Sequence, residues 1–204
     1  MYDFTACIVT YNTKKEELAK IINCFQNTEL KFKLWISDNS EKDTSRNFIE
    51  KFSDSRIEYI FNNANNGFGT GHNVVIEKLI RGKEKSEFHL MINADVYFEK
   101  NTIEKIINYM RKNTDIGQIG PKIYEPNGKV SKSCRLLPTP LNLIFRRFFP
   151  IKSVIEKMDY NYEMKWYDYQ SVIEVPILSG CFIFVRTDVL KDIGGFDERY
   201  FMYM

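Results

Sequence analysis

The chain has 204 residues, of which 44% are hydrophobic and 27% are charged, and its formal net charge is +2. This length supports one well-packed core and is short for two independent domains, and the composition is not that of a disordered chain. With 29 basic against 27 acidic residues, the chain lacks the basic excess that is usual in nucleic-acid-binding proteins.

Strands and helices are predicted to alternate along most of the chain. Apolar runs predict strands at residues 4–9, 32–36, 57–61, 88–92, 117–124 and 180–186. Helical periodicity predicts helices at residues 14–26, 44–52 (with Thr44 as N-cap), 70–80, 102–110 and 188–193. This alternation indicates an α/β fold with a Rossmann-like, mostly parallel central sheet flanked by helices. The pattern becomes irregular near residue 125, so we predict a single domain over 1–204 with halves 1–125 and 126–204.

The sequence features that report on compartment predict a cytoplasmic protein. Its four cysteines lack paired CxxC spacing, which is typical of reduced thiols. The N-terminus shows no secretory signal, and no apolar run reaches the ~18 residues of a membrane span. Residues 142–152 mix aromatic and basic side chains. An amphipathic connector is the favoured interpretation, and contact with the inner face of the membrane is the alternative.

Polar residues follow the predicted strands at four places. They are Thr10-Tyr11-Asn12, Asp38-Asn39-Ser40, the loop 62–73 and Asn93-Ala94-Asp95. Because ligands of parallel α/β sheets bind beyond the carboxyl ends of the strands, the sequence predicts a binding site at this edge.

Two aspartates at strand ends are candidates for ligand binding. The Asp95 carboxylate can hold Mg²⁺ or Mn²⁺ and leave coordination positions for substrate phosphates, although the local pattern alone favours a turn or helix-capping role. The Asp38 carboxylate can accept hydrogen bonds from a base or a ribose, and an Asx-turn fits the same pattern.

The stretch 65–73 carries Gly67, Gly69 and Gly71 and leads into a predicted helix. Glycines allow close backbone approach, and a helix N-terminus favours an anionic group. The stretch is neither a dinucleotide fingerprint, since His72 stands where the third glycine belongs, nor a Walker A loop. An ordinary glycine-rich loop is the alternative. The histidines and cysteines form no zinc pattern, and no hydrolase nucleophile elbow is present.

In chain order, these segments resemble the family 2 glycosyltransferases of the GT-A fold, in particular the bacterial rhamnosyltransferase-like branch. Each piece is weak alone, whereas the ordered set spans nearly the whole chain. The matching pieces are 8–12, 37–40, 66–69 with Asn73, 93–95, 178–180 and 194–203.

The resemblance implies a role for each matched residue. It makes 1–125 the nucleotide-sugar-binding half and 126–204 the acceptor-side half. The residues implied on the nucleotide-sugar side are Thr10, Tyr11, Asn12, Asp38, Asn66, Gly67, Gly71, Asn73, Asn93 and Asp95. Ser179 and Gly180 would lie near the acceptor. Asp95 would be the last residue of a DXD-like motif and the metal ligand, with Asn93 in place of the first aspartate.

The resemblance also implies where the catalytic base lies. In this family the run matching 201–204 is followed by an acidic pair that includes the expected general base. We therefore expect the base beyond Met204, and a 1–204 chain that binds donor and is poorly active.

The implied activity is inverting, metal-dependent transfer of a sugar from a nucleoside-diphosphate donor to a saccharide or lipid-linked acceptor. The branch points to rhamnose and polysaccharide biosynthesis, and no nucleic-acid partner is expected. A non-catalytic nucleotide-sugar-binding module is the alternative. A nucleotidyltransferase is disfavoured because 10–13 stands where its glycine-rich loop would follow the first strand.

Overall fold

The computed structural model describes residues 1–82, 84–140 and 152–202. The predicted amphipathic segment 142–152 lies outside the described residues apart from the backbone of Lys152, so both interpretations of it stay predictions. Among the described helices, none combines the length and the apolar character that a membrane span requires.

The predicted alternation of strands and helices is confirmed. The strands are β1 Tyr2–Thr10, β2 Phe32–Asp38, β3 Ile57–Phe61, β4 Ser86–Ile92, β5 Gln118–Ile119, β6 Cys134–Arg135, β7 Ile177–Leu178 and β8 Phe182–Arg186. The helices are α1 Lys15–Gln26, α2 Arg46–Glu50, α3 Gly67–Ile80, α4 Thr102–Lys112, α5 Lys152–Tyr162 and α6 Thr187–Ile193.

The main sheet has six strands in the order β3-β2-β1-β4-β8-β5. Strands β1 to β4 run parallel, and β8 is antiparallel to both of its neighbours. The mostly parallel sheet is therefore confirmed. The register pairs Thr10 with Asp38 and Asp38 with Phe61, so the carboxyl ends of β1, β2 and β3 meet at one edge.

Both faces of β1, β2 and β4 are buried along most of their length, as expected when helices cover a sheet on two sides, whereas the edge strand β3 is only half-buried. Alternate residues of a strand point to opposite faces. Phe4 of β1 packs near Phe25 of α1, with 6.2 Å between ring centroids. Cys7, of the other parity, shares a buried cluster with Trp35 and Val75 of α3. Helices α1 and α3 thus cover opposite faces and bring their N-terminal ends to the edge where β1 and β2 end.

The chain divides into two compact units. The first comprises residues 1–119 and 180–204, and the second comprises residues 120–179. The second unit contains the β6–β7 pair and a buried cluster of Cys134, Met164, Tyr167 and Tyr169. The predicted single domain with halves 1–125 and 126–204 stays a prediction.

Most predicted elements shift by one or two residues at an end, and three of the differences have a clear local cause. Helix α2 is only Arg46–Glu50 with Ser45 at its N-cap, and Ser53, in the left-handed region at φ 47°, follows its end. Strand β5 is only Gln118–Ile119, and Pro121, which has no N–H to donate, follows it closely. Helix α3 begins at Gly67 rather than residue 70, a start hidden by the low helix propensity of its glycines.

Candidate functional site

A cavity of about 350 Å³ opens at the carboxyl ends of β1, β2 and β4, wholly within the first unit. This volume lies within the usual range for small-molecule sites. The residues that line it are Val9, Thr10, Tyr11, Thr13, Glu17, Asn39, Asn65, Gly67, Phe68, Asn93, Ala94, Asp95 and Met202. The predicted polar edge of the sheet therefore contains a cavity, and residues from all four polar segments line it.

Asp95 reaches the cavity from a tight turn after β4. The N–H of Asn93 donates to the carbonyl of Cys181 at 3.0 Å, and the N–H of Val96 donates to the carbonyl of Asn93 at 3.2 Å. Ala94 is buried beneath the turn, whereas Asp95 is exposed. Among the described residues, none forms a hydrogen bond or ion pair with the Asp95 carboxylate. This carboxylate is therefore free to bind a ligand.

The cavity lining carries negative charge only. Its charged residues are Glu17 and Asp95, and none of the described lining residues is basic. Burial raises the pKa of the Tyr97 phenol, and the charges of Glu17 and Asp95 raise this pKa further. The negative charges of Glu17 and Asp95 are therefore both close enough to act on the Tyr97 phenol.

Thr10, at the end of β1, has a buried hydroxyl that the protein leaves unpaired. Thr10 is 3% exposed and lines the cavity. Its Oγ1 has no hydrogen-bond partner among the described residues. Buried polar groups are nearly always paired, so an unpaired hydroxyl in a cavity wall indicates a place for a ligand or a bound water.

The three glycines of α3 allow close approach, as predicted, but the approaching atoms belong to the protein. A Cβ on Gly67, whose φ is +85°, would collide with the carbonyl oxygen of Phe201. A Cβ on Gly69 would lie 2.9 Å from Cβ of Phe196, and one on Gly71 would lie 2.7 Å from Val9.

The N-terminus of α3 is already capped by a protein carbonyl. The N–H of Phe68 donates to the carbonyl of Phe201 at 3.1 Å. From the sequence, the N-terminus of this helix is predicted to favour an anionic group. The Phe68 N–H is unavailable for that role because Phe201 occupies it.

Asn39 joins the strand ends to α3 through buried hydrogen bonds. Its Nδ2 donates to the carbonyl of Gly67 at 2.9 Å, its Oδ1 accepts from Nδ2 of Asn62 at 2.8 Å, and its N–H donates to the carbonyl of Thr10 at 2.8 Å. Ser37 adds a bond from its Oγ to the carbonyl of Gly71 at 2.8 Å. This network fixes the cavity wall between β1, β2 and α3.

A model of glycosyl transferase family 2 matches residues 5–194. The chain belongs to glycosyl transferase family 2. Over 188 residues it is 27% identical to an N-acetylglucosaminyl-diphospho-decaprenol L-rhamnosyltransferase of Mycobacterium tuberculosis. The aligned region covers 87% of this chain and 59% of the mycobacterial protein. The chain therefore spans less than two thirds of the length of the curated relatives it matches.

Solved structures of glycosyltransferases share the fold of this family 2 chain. The mannosyltransferase PcManGT from Pyrobaculum calidifontis, in complex with GDP-Man and Mn²⁺, has a TM-score of 0.61 at 14% identity, over 97% of this chain and 48% of that one. S. aureus TarS 1-349 in complex with UDP-GlcNAc has a TM-score of 0.59 at 18% identity, over 94% of this chain and 47% of that one. The fold is the GT-A glycosyltransferase fold, as predicted.

Asp38, the predicted base or ribose contact of this family 2 chain, is buried, and both of its carboxylate oxygens accept hydrogen bonds from other residues of the protein. It is 1% exposed and is not among the lining residues. Its Oδ1 accepts from the N–H of Ser40 at 2.9 Å, which is the Asx-turn alternative, and its Oδ2 accepts from the Tyr59 hydroxyl at 2.6 Å. Burial and the Asp38 carboxylate raise the pKa of Tyr59. The contact of Asp38 with a base or ribose stays a prediction.

Four more residues predicted on the nucleotide-sugar side are not among those that line the cavity. Asn12 is exposed at φ 50°, and its N–H donates to Oγ of Ser40 at 2.8 Å. Asn66 is the N-cap residue of α3 and makes no side-chain capping bond. Gly71 packs against Val9. The amide of Asn73 binds the backbone of Phe196. Direct contact of these four with a nucleotide sugar stays a prediction.

The two acceptor-side residues fall in different units. Gly180 belongs to the first unit, where a Cβ would lie 3.8 Å from the ring of Phe68. Ser179 belongs to the second unit, where its N–H donates to the carbonyl of Ser133 at 2.8 Å. Their predicted place near an acceptor stays a prediction.

Glu17 and Asn39 line the cavity but are not among the site residues predicted from the sequence. Asn39 could have been found because it directly follows Asp38 at a strand end. Glu17 lies in the first turn of α1, and its helix surrounds it with other charged residues, so no sequence signal distinguishes it.

Proposed function

We propose that this chain supplies the donor site of an inverting, divalent-cation-dependent glycosyltransferase. The enzyme would transfer a sugar from a nucleoside-diphosphate donor to a saccharide or lipid-linked acceptor. The observation that carries the proposal is the cavity at the strand ends, where the free Asp95 carboxylate and the unpaired Thr10 hydroxyl line one space. Rhamnose is the proposed sugar because the mycobacterial relative is named as an L-rhamnosyltransferase.

The charge of the cavity supports the need for a cation. A diphosphate is a strong anion, and the described lining offers it two carboxylates and no basic side chain. The helix N-terminus, which often compensates such an anion, is partly closed by Phe201. A donor could therefore bind without strong repulsion only together with a positive ion.

The residues present fit a Mg²⁺ or Mn²⁺ ion. Such ions are commonly held by one or two carboxylates together with substrate phosphates and waters, and Asp95 would provide the carboxylate, with Asn93 beside it. No group of three or more His, Cys, Asp or Glu residues is placed to hold a metal in the described ranges. We therefore expect tight cation binding only when the donor is also present. When bound, the cation would neutralise the charge that develops on the leaving diphosphate.

The protein groups would orient the donor around that ion. Asp95 would hold the diphosphate end of the cavity, and Thr10 and Tyr11 would border the nucleoside. The Asn39 network keeps Thr10 and Gly67 at fixed positions, so the wall is preorganised before the donor arrives. A preorganised wall limits the entropy that binding must remove.

Calorimetric titration of UDP, dTDP and GDP, with and without Mn²⁺, tests the donor site. We expect binding of at least one of them with Mn²⁺ and strongly reduced binding without it. Equal binding with and without the cation contradicts the proposal.

Transfer to saccharide and lipid-linked acceptors, measured as release of nucleoside diphosphate by this chain and any longer natural form, separates the enzyme from a non-catalytic binding module.

Glu17→Gln should weaken Mn²⁺ binding because it removes one of the two negative charges in the cavity wall. We expect a loss of affinity of about threefold to tenfold at low salt, shrinking as salt screens the charge. Electron paramagnetic resonance of free Mn²⁺, with a saturating nucleoside diphosphate present in every sample, measures this directly. Glu16→Gln, in the same helical turn at an exposed position outside the cavity, is the matched control. Equal effects of the two changes would show that Glu17 has no special role.

A further inference from the structure

Residues 195–202, called the closing segment here, pack along α3 and reach the cavity. We propose that Asn73 is a positioning residue that holds the closing segment in place, so that this segment forms one wall of the donor cavity. The inference rests on the proposed function, and it assigns Asn73 an indirect part in donor binding.

The amide of Asn73 is fully engaged with the start of the closing segment. Asn73 is 7% exposed. Its Oδ1 accepts from the N–H of Phe196 at 2.9 Å, and its Nδ2 donates to the carbonyl of Phe196 at 2.8 Å and to Oε1 of Glu198 at 3.0 Å. One side chain thus pairs both backbone groups of Phe196, as a neighbouring strand would.

The residues around this contact are shaped to allow it. Gly195 has φ +96°, and a Cβ there would lie 2.7 Å from Oδ1 of Asn73. The Phe196 ring lies 5.6 Å from the Phe68 ring and 5.9 Å from the His72 ring, between centroids. Gly69 leaves the space in which Phe196 approaches α3. Asn73 and Phe196 therefore anchor the segment by hydrogen bonds and by ring packing.

The other end of the closing segment forms part of the cavity. The carbonyl of Phe201 accepts from the N–H of Phe68, and Met202 lines the cavity beside Gly67 and Phe68. If Asn73 releases Phe196, the Phe201 carbonyl and the Met202 side chain lose the hydrogen bonds that anchor their segment on α3. The cavity would then be complete for only a fraction of the time.

Two neighbouring glycines provide a matched test. Gly194 and Gly195 both have positive φ, so alanine is strained at either position. Only at Gly195 would the new Cβ displace Asn73, because nothing lies within 4 Å of a Cβ at Gly194. Gly195→Ala and Asn73→Leu should therefore release the closing segment, and Gly194→Ala should not.

Hydrogen exchange and nucleotide titration are measured together on these variants. We expect Gly195→Ala and Asn73→Leu to speed amide exchange at Phe68 and in 196–202, with exchange in β1 and β4 unchanged. Nucleoside-diphosphate affinity with Mn²⁺ should fall about tenfold if the segment is in place about one-tenth of the time.

Asn73→Asp should act in the same way because its carboxylate would face, and repel, the Glu198 carboxylate. Adding Glu198→Gln removes this repulsion and should restore part of the affinity.

Each outcome decides the inference. Unchanged exchange in Asn73→Leu overturns the claim that Asn73 holds the segment. Faster exchange with unchanged affinity overturns the link to the donor cavity. If the wild-type chain binds no nucleoside diphosphate, the proposed function fails, whereas the exchange difference between Gly195→Ala and Gly194→Ala still decides whether Asn73 holds the segment.

Discussion

Asp95→Asn is expected to remove most of the cation-dependent binding of nucleoside diphosphates. Asp95 is the carboxylate at the end of β4 that lines the cavity and has no hydrogen-bond or ion-pair partner among the described residues. Asparagine keeps the shape and removes the charge. We expect the affinity measured with Mn²⁺ to fall at least about 100-fold, since loss of even an outer-shell partner of a metal typically costs about 10- to 100-fold.

The control for this change is Asp115→Asn. Asp115 is also exposed, lies in the turn after α4 and does not line the cavity. Both substitutions should leave the thermal midpoint nearly unchanged, because surface changes away from packed features have small effects on stability. Wild-type affinity in Asp95→Asn, with Asp115→Asn alike, would mean that another group provides the cation site.

The protein is expected to lose stability steeply between pH 7 and pH 5. His72 and His89 are fully buried, and burial lowers the pKa of each imidazole from 6.5 to about 3. Both nitrogens of His72 and Nε2 of His89 lack partners among the described residues, while Nδ1 of His89 lies 2.9 Å from Oγ1 of Thr5. A proton added to either ring would therefore place an uncompensated charge in the core.

The direction of the pH effect follows from proton binding in the two states. Below pH 6.5 the unfolded chain binds protons at these histidines, whereas the folded chain stays neutral down to about pH 3. Stability is thus fully present above pH 6.5 and is lost as the pH falls. Each histidine contributes about 1.4 kcal/mol per pH unit within this window, so the two together lose roughly 4 kcal/mol between pH 7 and pH 5.

Urea unfolding at several pH values measures this dependence. His72→Phe combined with His89→Leu should flatten the slope of unfolding free energy against pH, whatever its effect on absolute stability. Paired carboxylates such as Asp54, whose pKa the Arg56 guanidinium lowers to about 2, lose their contribution only in more acidic solution. An unchanged slope in the double variant would assign the acid sensitivity to other groups.

The sheet and the sheet edge that holds the cavity were predictable from the sequence because both depend on local patterns. Apolar runs followed by polar residues mark the carboxyl ends of β1, β2 and β4, and parallel pairing necessarily brings those ends together. The cavity, with Thr10, Tyr11, Asn93 and Asp95 in its lining, lies at that edge.

Other features depend on contacts between distant parts of the chain. The sequence predicts that the glycines of α3 allow close backbone approach beside a helix N-terminus that favours an anionic group. In the structure, Gly67 and Gly69 accommodate Phe201 and Phe196, more than 120 positions away in the chain. The hydrogen bond that Oδ2 of Asp38 accepts comes from Tyr59, which belongs to a neighbouring strand. Long-range packing of this kind leaves no periodic signal in a single sequence, so the individual roles of these residues could not be assigned in advance.

The anomalous signal of Mn²⁺ in crystals grown with UDP or dTDP tests the central claim most directly. We expect a peak beside the Asp95 carboxylate, with the diphosphate next to it and the nucleoside lying along Thr10 and Tyr11. A manganese peak away from Asp95, or a nucleotide bound outside the cavity at the ends of β1, β2 and β4, would contradict it.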